Sequence, residues 1–375
     1  MRTIQVVNVR WYNATAWYGV ELARCLNEAG HETIVAGLPG TPPLQKAQAM
    51  GMQTVALPFN TVSPVRLAQL WSGMERLLRN FRPDVVNCHR GEAFILWALM
   101  KKRHGFKLVR TRGDRRLPKW GMVNKWLHCS AADAIICTNS LMRRHFTEAL
   151  HVSPAHVHAV LGGVDTQRFH ADQAARAEMR RRYGFAEGDI VAGLLGRMDV
   201  VKGIPETIRA LARARELSGG NAPLKLLLIG FESQYTESDV RRFCAESGLG
   251  APGEPGSIVT VTGKVDDPGQ VINALDFGIL SSLGSEAIAR AALEIMACGV
   301  PLISSTVGVM PDLIPQPWLF APGDIEAMSR LMLDMADAEK RGELRAYCAG
   351  AIAQKKLRLQ DFLEQTLAIY EGIAK

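Results

Sequence analysis

The chain has 375 residues, 47% hydrophobic and 22% charged, a length and composition that fit a globular protein of about two domains. No apolar run approaches the roughly 18 residues of a membrane-spanning helix, Met1-Arg2-Thr3 opens straight into an apolar run and not a secretory signal, and seven cysteines without a Cys-x-x-Cys pair read as reduced, buried thiols of the cytoplasm, excluding a disulfide frame or zinc ribbon. The net charge of +7 is unevenly spread, +11 over residues 1–167 and −4 over the rest, which makes the first half basic and points to an anionic partner.

In chain order, residues 4–9 read as a buried strand, 18–29 as a helix closed by Gly30, and 32–37 as a second strand, a βαβ rhythm. The connecting loop, Arg10-Trp11-Tyr12-Asn13-Ala14-Thr15-Ala16-Trp17, is no Gly-x-Gly-x-x-Gly turn, which argues against a nicotinamide-type site. Further strands are expected at 54–57, 84–89, 107–111, 134–138 and 156–161. A helix is expected over 64–81, and Asn139-Ser140 reads as a helix cap. His89 ends the 84–89 strand, and ligands of open parallel sheets gather at the carboxyl ends of strands. Lys101, Lys102, Arg103, Arg112, Arg115, Arg116 and Lys119 form a basic region punctuated by Trp120.

A linker is expected near 166–185. The second half restarts with a strand at 190–195, followed by Gly196-Arg197-Met198-Asp199-Val200-Val201-Lys202-Gly203. This is not a Walker loop. Two cations flanking a glycine-rich turn at a strand's end are suited to a diphosphate, Arg binding it bidentately and Lys as a point charge. Strands at 226–230, 258–263 and 277–280 lead to a stretch with two carboxylates, Glu286 and Glu294. An Ala-rich helix opening near Glu286 would place them roughly 12 Å apart along its axis, too far to share one proton or one metal ion. They would touch separate parts of an elongated ligand, with the helix N-terminus offered to an anion between them. Gly299 stops that helix, a β-branched strand follows from Val300, and residues 357–375 close the chain as an amphipathic helix.

Several of these segments resemble retaining glycosyltransferase family 4, of the lipopolysaccharide-core or surface-polysaccharide type. They are the 276–280 strand followed by Glu286-x7-Glu294 and Ala-Cys-Gly-Val-Pro, the Gly196-Arg197…Lys202-Gly203 step, and Gly162-Gly163-Val164-Asp165-Thr166-Gln167-Arg168-Phe169 at the expected junction. The resemblance extends more weakly to Tyr18-Gly19-Val20-Glu21, where the family commonly has two glycines, and to Asn87-Cys88-His89, where it has His-x-His. It implies an α/β chain of GT-B fold, with two Rossmann-like domains whose parallel sheets face a central cleft. The domains would be residues 1–167 on the acceptor side and 168–356 on the nucleotide-sugar side, with 357–375 packing back toward the first.

The implied function is retaining transfer of a sugar from a nucleotide-diphosphate donor to a glycan or glycolipid acceptor. The implied catalytic residues are His89, Glu286, Arg197 and Lys202. Donor contacts would come from Gly19, Gly196, Arg197, Lys202, Glu286, Ala287, Ile288, Ala289 and Glu294, with Arg197 and Lys202 on the diphosphate, Glu294 on the ribose and Glu286 on the sugar. No metal and no cofactor is expected. Arg112, Arg115 and Arg116 are assigned to the acceptor or an anionic membrane surface at the inner face of the cytoplasmic membrane. Nucleic acid is not expected as a partner, because no recognition motif accompanies the charge. Two rivals stay open, a nucleotide-sugar epimerase of the same fold and a non-catalytic sugar-binding scaffold.

Overall fold

A computed structural model describes residues 1–113, 116–119, 121–284 and 286–374. The chain forms two compact units, residues 1–163 with 359–375, and residues 164–358. Divisions were expected after residues 167 and 356. Val164 instead pairs with Arg358 in a parallel bridge, and its N–H donates to the Leu357 carbonyl at 2.8 Å. That pairing draws both crossing segments into the second unit.

The first unit is a seven-stranded parallel sheet: β1 (Arg2–Val7), β2 (Glu32–Gly37), β3 (Gln53–Ala56), β4 (Val85–Cys88), β5 (Lys107–Arg112), β6 (Ala134–Cys137) and β7 (Val157–Ala159), in the order β3-β2-β1-β4-β5-β6-β7. Alternate residues face opposite sides. Ile4 and Val6 join one core with Val86 and Leu108, while Val7 joins another with Val35 and Val20. The helix Ala14–Glu28 starts earlier than its apolar spacing predicts, because the Asn13 side chain accepts from the Ala16 N–H at 3.0 Å and caps it. Helix Pro64–Phe81 keeps its predicted limits. Proline sits in its first turn, Leu70, Met74, Leu77, Leu78 and Phe81 form its buried stripe, and Arg82 ends it in the left-handed region. The last helix, Leu359–Ala374, packs within this unit, Phe362 meeting Tyr18 edge-on at 4.6 Å.

The second unit is a six-stranded parallel sheet: β8 (Ile190–Leu195), β9 (Leu224–Ile229), β10 (Val259–Val261), β11 (Phe277–Leu280), β12 (Leu302–Ser305) and β13 (Leu319–Phe320), ordered β10-β9-β8-β11-β12-β13. Residues 166–185, expected as a linker, hold the helix Gln173–Arg182, capped by Asp172. Arg176 and Arg180 from that helix grip the buried Asp276 at 2.7 and 3.0 Å. The second oxygen of that carboxylate also accepts from the Val191 N–H at 2.8 Å. The ion-paired segment therefore belongs to the fold of this unit. All seven cysteines are free thiols, and no helix among the described residues is long and apolar enough to cross a membrane.

Candidate functional site

In both sheets the strand order reverses once, between β1 and β4 in the first unit and between β8 and β11 in the second. At such a point the loops leaving two adjacent strands diverge and open a crevice at the carboxyl edge.

In the second unit, the loop after β8 carries the two predicted cations. It is pressed close to its neighbours at two glycines. A Cβ on Gly230 would lie 1.8 Å from the Gly196 carbonyl oxygen, and one on Gly203 would lie 2.2 Å from that of Ser281. Gly203 also has φ +69°, a left-handed conformation that glycine adopts without strain. A short turn over Val200–Lys202 leads into it and brings the lysine to the β11 edge. There Lys202 Nζ donates to Glu286 Oε1 at 2.6 Å, and Ser282 Oγ donates to the same oxygen at 2.5 Å. Arg197 pairs with Asp199 at 2.7 Å, and the guanidinium is 56% exposed while Asp199 is almost buried. Sequence reasoning named both cations but missed Asp199 and Ser282. Asp199 lies between them in the motif; Ser282 is fixed only by tertiary contact, its carbonyl accepting from Ser305 Oγ at 2.7 Å.

Glu286 does not open the helix as predicted. The helix runs Arg290–Ala297 and follows Ala289, whose φ is +48°. Glu286 lies before it, its carbonyl oxygen accepting from the Val309 N–H at 2.9 Å. Gly308 makes this approach possible, since a Cβ there would lie 2.1 Å from that oxygen. The 12 Å axial separation of the two carboxylates therefore does not apply, because only Glu294 is on the helix. Ile288 and Ala289 have buried side chains and Ala287 is half-buried. Glu294 is buried and accepts from Arg290 Nη2 at 2.9 Å. Burial pushes its pKa up, against the pull of Arg290 and Arg168.

In the first unit the crevice is built differently. His89 follows β4 and is fully buried, its pKa pushed down to about 3 by burial and by the nearby Arg110 cation. Gln5 Nε2 donates to Tyr370 Oη at 3.3 Å and to Thr3 Oγ1 at 3.4 Å, so its Oε1 accepts from His89 Nε2–H at 2.9 Å. His89 Nδ1 is then a bare lone pair with no partner among the described residues. Gly19 packs against this ring: a Cβ there would lie 2.6 Å from Val7 and 2.9 Å from His89. It belongs to the helix Ala14–Glu28, on the buried face of that helix inside the first unit. Tyr18, where the family commonly has glycine, is also buried and donates to the Val160 carbonyl at 3.0 Å. Between the loops after β1 and β4 lies a cavity of about 650 Å³, lined among others by Asn8, Trp11, Asn60, Arg90 and Glu92. Asn8, Asn60, Arg90 and Glu92 were not singled out as site residues from sequence.

Of the basic set, Arg112 donates to the Arg116 carbonyl at 2.8 Å and Arg116 is exposed. Arg115 and Trp120 lie outside the described residues. Among the described residues, no group of three or more His, Cys, Asp or Glu side chains is arranged to hold a metal ion.

The comparisons with known proteins agree with this architecture. Residues 15–168 match the family model described as Glycosyltransferase Family 4, and residues 189–338 match Glycosyl transferases group 1. The D-inositol 3-phosphate glycosyltransferase of Actinosynnema mirum is 26% identical over 68% of this chain and 66% of its own. A GDP-mannose-dependent phosphatidylinositol monomannoside mannosyltransferase of Mycolicibacterium smegmatis is 30% identical over 49% of this chain and 47% of its own. The alignments thus span about half to two thirds of these relatives. Among solved structures, a glycosyltransferase of Rickettsia africae superposes with a TM-score of 0.85 at 16% identity, over 100% of this chain and 98% of that one. Anabaena HepE in complex with UDP gives 0.83 at 16% identity, over 99% and 100%. The lipopolysaccharide outer core galactosyltransferase WaaB gives 0.75 at 16% identity, over 99% of each chain. With both units matched and the strand orders accounted for, the chain belongs to glycosyltransferase family 4 and has the GT-B fold.

Proposed function

We propose that the protein is a metal-independent retaining glycosyltransferase that moves a sugar from a nucleotide-diphosphate donor to a glycan or glycolipid, of lipopolysaccharide-core or similar surface type. The observation that carries this reading is the Lys202–Glu286 pair beside Arg197–Asp199 at the strand-order reversal of the second unit. The four charges cancel, yet the two cations are the more exposed partners. A diphosphate approaching from solvent therefore meets the cations first. Arg197 offers a planar fork and Lys202 a point charge, while Glu286, fixed by Ser282 and by its own carbonyl, accepts from sugar hydroxyls.

Glu294, beside Arg290, is assigned to the ribose hydroxyls; Gly196 and the backbone of Ala287, Ile288 and Ala289 complete the donor contacts. In the reaction the bond from the anomeric carbon to the diphosphate oxygen breaks, and the acceptor oxygen forms its bond from the same face. The acceptor proton passes to the departing phosphate oxygen. Positive charge already fixed at that oxygen lowers the barrier without reorganisation. His89 is assigned to the acceptor-side unit as a neutral hydrogen-bond acceptor, since it stays unprotonated through the physiological range. Arg112, Arg115 and Arg116 are assigned to electrostatic adsorption at the anionic inner face of the cytoplasmic membrane. UDP- and GDP-sugars are the first donors to try, given the UDP complex of HepE and the GDP-mannose dependence of the mannosyltransferase.

Calorimetry with UDP and GDP tests the division of roles. Glu294→Ala is expected to weaken the bare nucleotide, whereas Glu286→Ala leaves it bound and abolishes sugar transfer. Equal weakening by both variants would refute the assignment. Activity lost in EDTA and restored by magnesium would remove the metal-independent chemistry. Release of nucleoside diphosphate with no acceptor present would favour the epimerase.

A further inference from the structure

Immediately after the basic loop, the short helix Met122–Trp126 runs into a wider turn, Leu127–Ala131. The two segments differ in burial. Leu127, His128 and Ala131 are buried, with the His128 ring 5.2 Å from Phe146. On the helix ahead of them Met122 is 90% exposed, Val123 57% and Trp126 40%. These positions are i, i+1 and i+4 on a helix, one contiguous face.

Two more exposed leucines lie on segments tied to that helix or to its loop. Leu117 precedes Pro118, whose carbonyl lies 2.8 Å from His145 Nε2, and Leu141 is one helical turn before His145. Asn124 Nδ2 donates to the Lys119 carbonyl at 2.9 Å and ties the helix to the same loop. Five exposed apolar side chains thus sit on segments held together by these two hydrogen bonds.

The charge around them selects the occupant. Exposed Arg116, Lys119, Lys125, Arg143 and Arg144 flank the face, against Glu148 as the exposed acid of the same stretch among the described residues. A second copy of this surface would bring like charge onto like charge. An anionic bilayer matches both features. Apolar side chains at its boundary leave water, while lysine and tryptophan keep their polar ends at headgroup depth.

We infer that Met122, Val123 and Trp126, with Leu117 and Leu141 on the segments tied to them, insert into the acyl boundary of an anionic leaflet and anchor the first unit there. The inference rests on the anionic membrane as partner and goes beyond adsorption by charge. It does not depend on the transfer chemistry.

Insertion and adsorption separate by salt, because screening weakens charge contacts between exposed groups but not apolar burial. The full chain is mixed with vesicles of phosphatidylglycerol in phosphatidylcholine, unlabelled or with brominated acyl chains. Wild-type tryptophan emission is expected to be quenched by the brominated chains, and Trp126→Phe should remove most of that quenching. The pair Met122→Ser with Val123→Ser should lower binding in high salt by about tenfold or more, as expected for two lost apolar anchors. Both side chains face solvent, so thermal unfolding of the pair should match wild type. Quenching equal in wild type and Trp126→Phe, or undiminished high-salt binding by the serine pair, would overturn the insertion while leaving charge adsorption standing. A wild-type dimer that the serine pair lacks would also overturn it, by giving the face to a second copy. Failure of the transferase reading shows separately, as absent nucleotide binding.

Discussion

The two units reverse strand order at corresponding places, yet they put opposite chemistry there. The second unit presents Arg197, Asp199, Lys202 and Glu286, four formal charges in two ion pairs with their cations toward solvent. The first unit presents Gln5, Asn87 and His89, buried, uncharged and joined through Tyr370 from the last helix, with the buried Asn8 bonded separately to Asn60. Topology fixes where a crevice forms; loop residues decide what it can bind. A charged crevice suits a leaving diphosphate. One floored by uncharged hydrogen-bonding groups already oriented, with the Arg90–Glu92 ion pair in its wall, suits hydroxyl groups.

The largest expected effect lies on the charged side. Lys202→Ala or Arg197→Ala should remove about 2 to 4 kcal/mol of transition-state stabilisation, as other fixed charge contacts do. Initial rates with saturating acceptor read this as a fall in kcat/KM. The same variants should leave the thermal stability of the chain nearly unchanged. A large fall in stability with normal turnover would mean that the cations serve the fold and not the reaction.

On the neutral side the effect should be on stability first. Tyr370→Phe removes the oxygen that accepts from Asn87 Nδ2 at 2.8 Å and Gln5 Nε2 at 3.3 Å. Two buried donors left unmet should destabilise the first unit by about 1 to 3 kcal/mol, measured by denaturant unfolding. Gln5 would then be free to turn its amide and release His89. If Tyr370→Phe matches wild type in stability and rate, the network is not what orients the histidine.

The smallest effect separates the units by pH. Burial raises the Glu294 pKa, so the folded protein holds that proton more tightly than the unfolded chain. The penalty for the ionised form is then complete above the folded pKa and fades as pH falls toward the ordinary carboxylate range near about 4. Glu294→Gln should therefore be as stable as wild type or more so near neutrality, the gap closing as pH falls. His89 runs the other way. Its pKa lies near 3, below the unfolded value of about 6.5, so its contribution is full above that value and lost as pH falls toward 3. His89→Gln should flatten the acid limb of the stability curve. Melting curves over pH on both variants check the two signs.

Much of this was present in the order of residues. The βα rhythm follows from short apolar runs separated by amphipathic helices, and strands such as Glu32–Gly37, Ile190–Leu195 and Phe277–Leu280 keep their predicted limits. The Arg197…Lys202 step is local, and its glycines declare a tight turn whatever the rest of the chain does. Other features depend on residues far apart in sequence. Glu286 left the helix that its alanine-rich surroundings predict because Gly308 lets the Val309 N–H reach its carbonyl. The expected linker became part of a domain because Arg176 and Arg180 find Asp276 about a hundred positions away. Tyr370 reaches Gln5 across nearly the whole chain. The sequence alone determined the succession of strands and helices and the cations of one loop, because these depend on neighbours within a few residues. Tertiary structure decided which carboxylate faces which cation, why His89 is neutral, and that Met122 and Val123 are left uncovered by the rest of the chain, because burial and pairing are properties of residues brought together only by the fold.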